Sequence, residues 1–136
     1  RFVKTTQQYF FGFEAHTLDG QLAQIATVEK ALIDMILFHR SDYATDRVLE
    51  ILVEQWDELD QARLTDYLPR ANLTTQRMFG LLFDQLHLPY DQKLAESARS
   101  SSADSRLTAT AQSYSAKWRL YYDPAIFRHV ELPDHL

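Results

Sequence analysis

The sequence predicts an α+β domain, a small antiparallel sheet packed on about four helices, the sheet made of an N-terminal hairpin and a returning C-terminal strand. Three observations carry this. Two apolar-aromatic runs flank an Asp-Gly pair near the N-terminus. The middle of the chain repeats its apolar residues at helical spacing, punctuated by capping residues and prolines. An extended aromatic segment, Lys117-Trp-Arg-Leu-Tyr-Tyr-Asp-Pro124, comes last.

The hairpin is expected over residues 9–18 and 21–26, joined by Asp19-Gly20, because a type I′ turn needs positive φ at both central positions. Gly12, inside an aromatic run, predicts a bulge or a close backbone approach. Alternation sends Phe11 and Phe13 to one face and Phe10 to the other, where the helices or a partner would cover it. Ahead of these, residues 1–5 read as the middle of a strand, so the chain is expected to be a piece of a longer protein. Thr27 is placed as an N-cap and Glu29 in the first turn of a helix to about Phe38, with His39 and Arg40 at its cationic end.

A second helix is expected over 44–55 on the stripe Val48, Leu49, Ile51 and Leu52, capped by Asp42 or Thr45. A third starts at Asp57 and stops at Pro69, with Leu64 and Leu68 a turn apart. A fourth spans 74–86, with Phe79, Leu82, Phe83 and Leu86 at i, i+3, i+4 and i+7. Gly80 inside it costs about 1 kcal/mol against alanine, which predicts a close helix–helix contact there. Pro89 ends the helical half, and the serine-rich stretch 97–105 reads as a mobile surface loop. Trp118, Leu120 and Tyr122 share one face of the closing strand. No fixed-period repeat appears, and residues 1–136 are expected to form one domain.

The composition narrows the chemistry. Of 136 residues, 46% are apolar and 24% charged, and fourteen Lys and Arg against nineteen Asp and Glu leave a formal charge of −5. The bulk charge therefore supplies no general basic footprint for nucleic acid. The absence of cysteine excludes disulfides, thiolate zinc sites and a cysteine nucleophile, and fits a reducing, cytoplasmic setting. The longest apolar run, residues 31–38, is interrupted by Asp34 and is far short of the ~20 residues a membrane crossing needs. No phosphate loop, dinucleotide fingerprint or nucleophile elbow occurs, and the five histidines lack metal-ligand spacing, so no metal, cofactor or catalytic residue is expected.

Asp34 stands in an apolar segment with Lys30 one turn before it, which predicts an ion pair. Asp57, Glu58 and Asp60 open a helix, where carboxylates cap and complement the dipole. Arg40, Arg47, Arg63, Arg70 and Arg77 are the candidate nucleic-acid or partner contacts. Arg63, Arg70 and Arg77 recur every seven residues, but Pro69 keeps the repeat from sharing one helix face.

Phe2-Val-Lys4, Tyr9-Phe-Phe-Gly-Phe13, Asp19-Gly20 and, above all, Ile25-Ala-Thr-Val-Glu-Lys-Ala-Leu-Ile-Asp34 resemble the C-terminal domain of AbiEi-type antitoxins. These belong to abortive-infection, type IV toxin–antitoxin systems and are also described as transcriptional regulators of viral defence. Gln76-Arg-Met-Phe-Gly-Leu-Leu-Phe83 and Lys117-Trp-Arg-Leu120 resemble later family segments. Val28 stands where the family commonly has proline, and Asp123 where it often has asparagine.

The resemblance implies a non-enzymatic antitoxin domain that opposes a nucleotidyltransferase-like toxin without requiring a stable complex. It also implies repression of transcription, with operator DNA held mainly by a winged helix-turn-helix that family members carry ahead of this domain and this sequence lacks. Self-association is compatible with it. The rival readings are a small metal-dependent enzyme acting on nucleotides or nucleic acid, built on Asp34 and the Asp57–Asp60 acids, and a pure dimerisation module with an apolar patch near Phe10.

Overall fold

The structure is a computed structural model that describes residues 11–127, so the expectations for 1–5, Tyr9, Phe10, His129 and His135 lie outside the described residues. It begins with a hairpin of β1 (Phe13–Leu18) and β2 (Gln21–Ala26), paired antiparallel from Phe13↔Ala26 to Leu18↔Gln21. Asp19 (φ 50°) and Gly20 (φ 78°) make the turn with the two positive angles it demands. Gly12 has φ 75°, and a Cβ there would lie 2.7 Å from the Lys30 Cβ, which is the close approach the aromatic run foretold.

Helix α1 (Val28–His39) is capped by Thr27, whose hydroxyl accepts from the Lys30 amide at 3.2 Å. Helix α2 (Asp42–Gln55) starts two residues earlier than expected, because Ser41, rather than Asp42 or Thr45, caps it. The segment after it departs further from expectation. Trp56–Glu58 is a 3₁₀ turn, and α3 (Gln61–Tyr67) begins only after Asp60, which caps the Arg63 amide at 3.1 Å. A second 3₁₀ turn, Leu68–Arg70, carries Pro69 at its start, where a missing N–H is harmless.

Helix α4 (Leu73–Leu86), capped by Asn72, is the centre of the molecule. Every residue from 75 to 83 on it is buried, and it touches α1, a fifth helix and the C-terminal strands. That fifth helix, α5 (Gln92–Ala98), was not foreseen; Leu94 and Ala98 pin it to α4, and Asp91 caps it. One apolar cluster runs through all five helices and on to Leu107, Trp118 and Leu120.

The fold class is the one expected, but the returning strand does not join the hairpin. It forms β5 (Leu120–Tyr122), the centre strand of a second sheet, flanked by β3 (Ser105–Arg106, parallel) and β4 (Ser113–Ser115, antiparallel). The helices lie between the two sheets in sequence, and the Trp118 and Leu120 side chains anchor β5 to them. Trp118 is not part of the strand: Arg119 takes φ 53° and turns the chain between Trp118 and Leu120. Gly80 does meet a close neighbour, though not a helix. An added Cβ would overlap three carbons of the Trp118 indole.

Candidate functional site

The five arginines do not form a stripe. Arg77 is 1% exposed and cannot contact a nucleic acid or partner from where it sits. It stands in the run of α4 that is buried throughout, on a different element from Arg63 and Arg70. Its guanidinium donates from Nε to the Ala98 carbonyl (2.8 Å), from Nη1 to Ala103 O (2.7 Å) and Ser105 Oγ (2.8 Å), and from Nη2 to Ser101 O (3.0 Å). The serine-rich stretch read as a mobile loop is therefore wrapped around a buried cation. Desolvation, with Arg119 nearby, lowers the Arg77 pKa from its ordinary value.

Arg63 and Arg70 sit at the root of the hairpin. Arg63 pairs with Glu14 of β1 (2.5 Å), with the buried Glu29 of α1 (3.4 Å) and with its own cap Asp60 (3.5 Å). Glu29 also accepts from the Asp60 amide at 2.9 Å. Arg70 lies over the Phe11 ring, its guanidinium carbon 4.3 Å from the centroid. Arg47 pairs with Glu50 on the α2 surface, and Arg40 is exposed at the end of α1.

The pair foreseen between Lys30 and Asp34 is present, with the Lys30 side chain 1% exposed and its ammonium donating to the Asp34 carboxylate. Lys30 Nζ also lies 4.5 Å from the Phe11 centroid, so its charge is met by a carboxylate and a ring face. Burial pushes the Asp34 carboxyl above its ordinary range against the pull of Lys30. A second hub lies across α4. Asp84 accepts from Trp118 Nε1 (2.7 Å), Lys117 Nζ (2.8 Å) and Tyr90 Oη (2.9 Å). Burial alone would raise its pKa, but these donors hold it below the usual carboxylate value.

A pocket of about 210 Å³ opens between α3, α4 and α5. Phe83, Leu64, Leu68 and Leu94 give it an apolar floor, and Trp56 and Tyr90 flank it. Gln61, Thr65 and Asp91 are the polar residues of its lining. The rings brace one another: Phe83 is stacked with Tyr90 at 6.0 Å and meets Trp56 edge-on at 5.7 Å.

No family model, no curated protein and no solved structure matches this chain. Asp34 is engaged by Lys30 and Asp60 by the start of α3, and among the described residues no group of three or more His, Asp or Glu is placed to hold a metal ion. No described helix is long and apolar enough to cross a membrane. The pocket was missed in the sequence because its walls come from four separate segments, and Tyr90 and Asp91 fell in the stretch treated as the end of the helical half.

Proposed function

We propose that the chain is a non-enzymatic C-terminal domain of a cytoplasmic AbiEi-type antitoxin and transcriptional repressor. In this reading it opposes a nucleotidyltransferase-like toxin and, beside a winged-helix domain, strengthens hold on operator DNA. One observation carries the reading furthest. The segment 25–34, which bears the most distinctive likeness to that family, is also where polar residues are spent on architecture. Thr27 caps α1, Glu29 ties α1 to α3, and Lys30 joins Phe11 and Asp34. Such a pattern supports a scaffold that keeps a surface in place, and the charged groups a catalyst would need already have structural partners.

Exposed Arg40, Arg47 and Arg70 stand, each separately, as the contacts through which the domain would meet phosphate or partner, while Arg63 is committed to Glu14, Glu29 and Asp60. The dimerisation reading has less behind it. Leu22 and Ile25 are exposed, but their odd spacing sends them to opposite faces of β2, so they do not make one patch.

Co-expression tests the proposal. Cells expressing a nucleotidyltransferase-like toxin encoded beside this protein should grow when the full-length protein is supplied and stop growing when this domain is deleted from it, and the absence of such a gene counts against the reading. Growth that is indifferent to the domain sinks the reading.

A further inference from the structure

We infer that the pocket between α3, α4 and α5 binds a small organic cation with an apolar body, such as a methylated amine on a single ring. Size sets the first limit. At about 210 Å³ the cavity falls below the ~300–1,000 Å³ of drug-sized ligand sites, so a ring or short alkyl group fits and a nucleotide does not. Charge sets the second. Asp91 is the one charged residue among those lining the pocket, and no Lys, Arg or His lines it, so a phosphate or carboxylate guest would meet no counter-charge.

The aromatic walls select further. Phe83 and Tyr90 are stacked on each other, which leaves Trp56 as the lining ring free of a stacking partner to meet a cation, an attraction that grows when water is excluded. Tyr90 acts as a wall rather than as a cation platform, since Lys117 Nζ already lies 5.6 Å from its ring, its own charge met by Asp84. The hydroxyl of Tyr90 is tied to Asp84 and its ring stacked on Phe83, so this wall is set before a guest arrives. Gln61 and Thr65, one turn apart on α3, are the other polar residues of the lining beside Asp91.

The inference is independent of the antitoxin reading, since growth rescue neither requires nor reports on it. It is tested by titrating the 136-residue chain with benzyltrimethylammonium, benzyl alcohol and phenylacetate in parallel. The readout is the indole N–H resonance of Trp56 in two-dimensional NMR. The expected result is a saturable shift with benzyltrimethylammonium at an affinity roughly two- to thirtyfold above that for benzyl alcohol, with phenylacetate weakest. Asp91→Asn, which leaves the α5 cap intact because asparagine caps as well as aspartate, should cut that preference while the thermal midpoint holds. No saturation, equal binding of charged and neutral probes, or a preference untouched by Asp91→Asn overturns the inference.

Discussion

A single side chain, Arg77, organises more of this molecule than any other. Its fork holds carbonyls of residues 98, 101 and 103, and through them keeps the loop from α5 to β3 on the surface of α4. Lysine offers a point charge with three donors and cannot span that set. Arg77→Lys should cost about 2–4 kcal/mol by urea denaturation, because the buried Ala98 carbonyl and the half-buried ones beyond it lose their partners. Limited proteolysis of the same variant should cut within 99–104, where the wild type resists. Gly80 makes the opposite kind of demand. Alanine would gain about 1 kcal/mol of helix propensity, yet its methyl would strike the Trp118 indole, which Asp84 holds in place. Overpacking of about 1–3 kcal/mol should win, so Gly80→Ala is expected to lower the melting temperature. The need for a close neighbour at Gly80 was legible in the sequence, since glycine inside a helix is otherwise a loss. The role of Arg77 was not, because its partners are backbone carbonyls that no residue type or spacing announces.

Capping side chains set the element boundaries. Thr27, Ser41, Asp60, Asn72 and Asp91 each accept from a backbone amide at a helix start. Asn72 opens the central helix, so Asn72→Ala should destabilise the chain by about 1 kcal/mol in chemical denaturation, and Asn72→Asp by much less. Long elements with strong periodicity were legible: α1, α2 and α4 lie within two residues of where their apolar stripes put them. So was the hairpin, through its Asp-Gly turn. What escaped was short or polar. Helix α5 buries only Leu94 and Ala98 over seven residues, too little for a period to show. Strands β3 and β4 read Ser-Arg and Ser-Tyr-Ser, without the alternation of a half-buried strand, and exist because β5 lies between them. The pocket escaped for the same reason as Arg77: its members come together only in the fold.

At the scale of the whole molecule, the two carboxylates Asp34 and Asp84 pull stability in opposite directions as pH falls. Asp84 has a depressed pKa in the fold, so its contribution is complete above the unfolded value of about 3.9 and is lost as pH drops through the folded one. Asp34 has a raised pKa because burial outweighs the pull of Lys30, so protonation there favours the folded state on acidification. Asp84→Asn should therefore lower stability at neutral pH and flatten the acid limb of a denaturation-against-pH curve. The hairpin poses a separate question of cooperativity. A two-stranded sheet is marginal alone, and most of β2 is exposed, so β1 and β2 depend on their attachment to the helices. That attachment is narrow: the Thr27 amide donates to the Gly12 carbonyl at 2.9 Å, Phe11 meets Tyr67 edge-on at 5.4 Å, and Arg63 reaches from α3 to Glu14. Native-state hydrogen exchange should accordingly show the β1–β2 amides opening at lower free energy than those of α4, which lies inside the core on most sides. Removing the ionic tie with Arg63→Ala should deepen that gap, hastening exchange in the hairpin while the α4 amides keep their protection. Equal acceleration in both regions would mean that hairpin and helices unfold as one unit and that Arg63 is not the clasp between them.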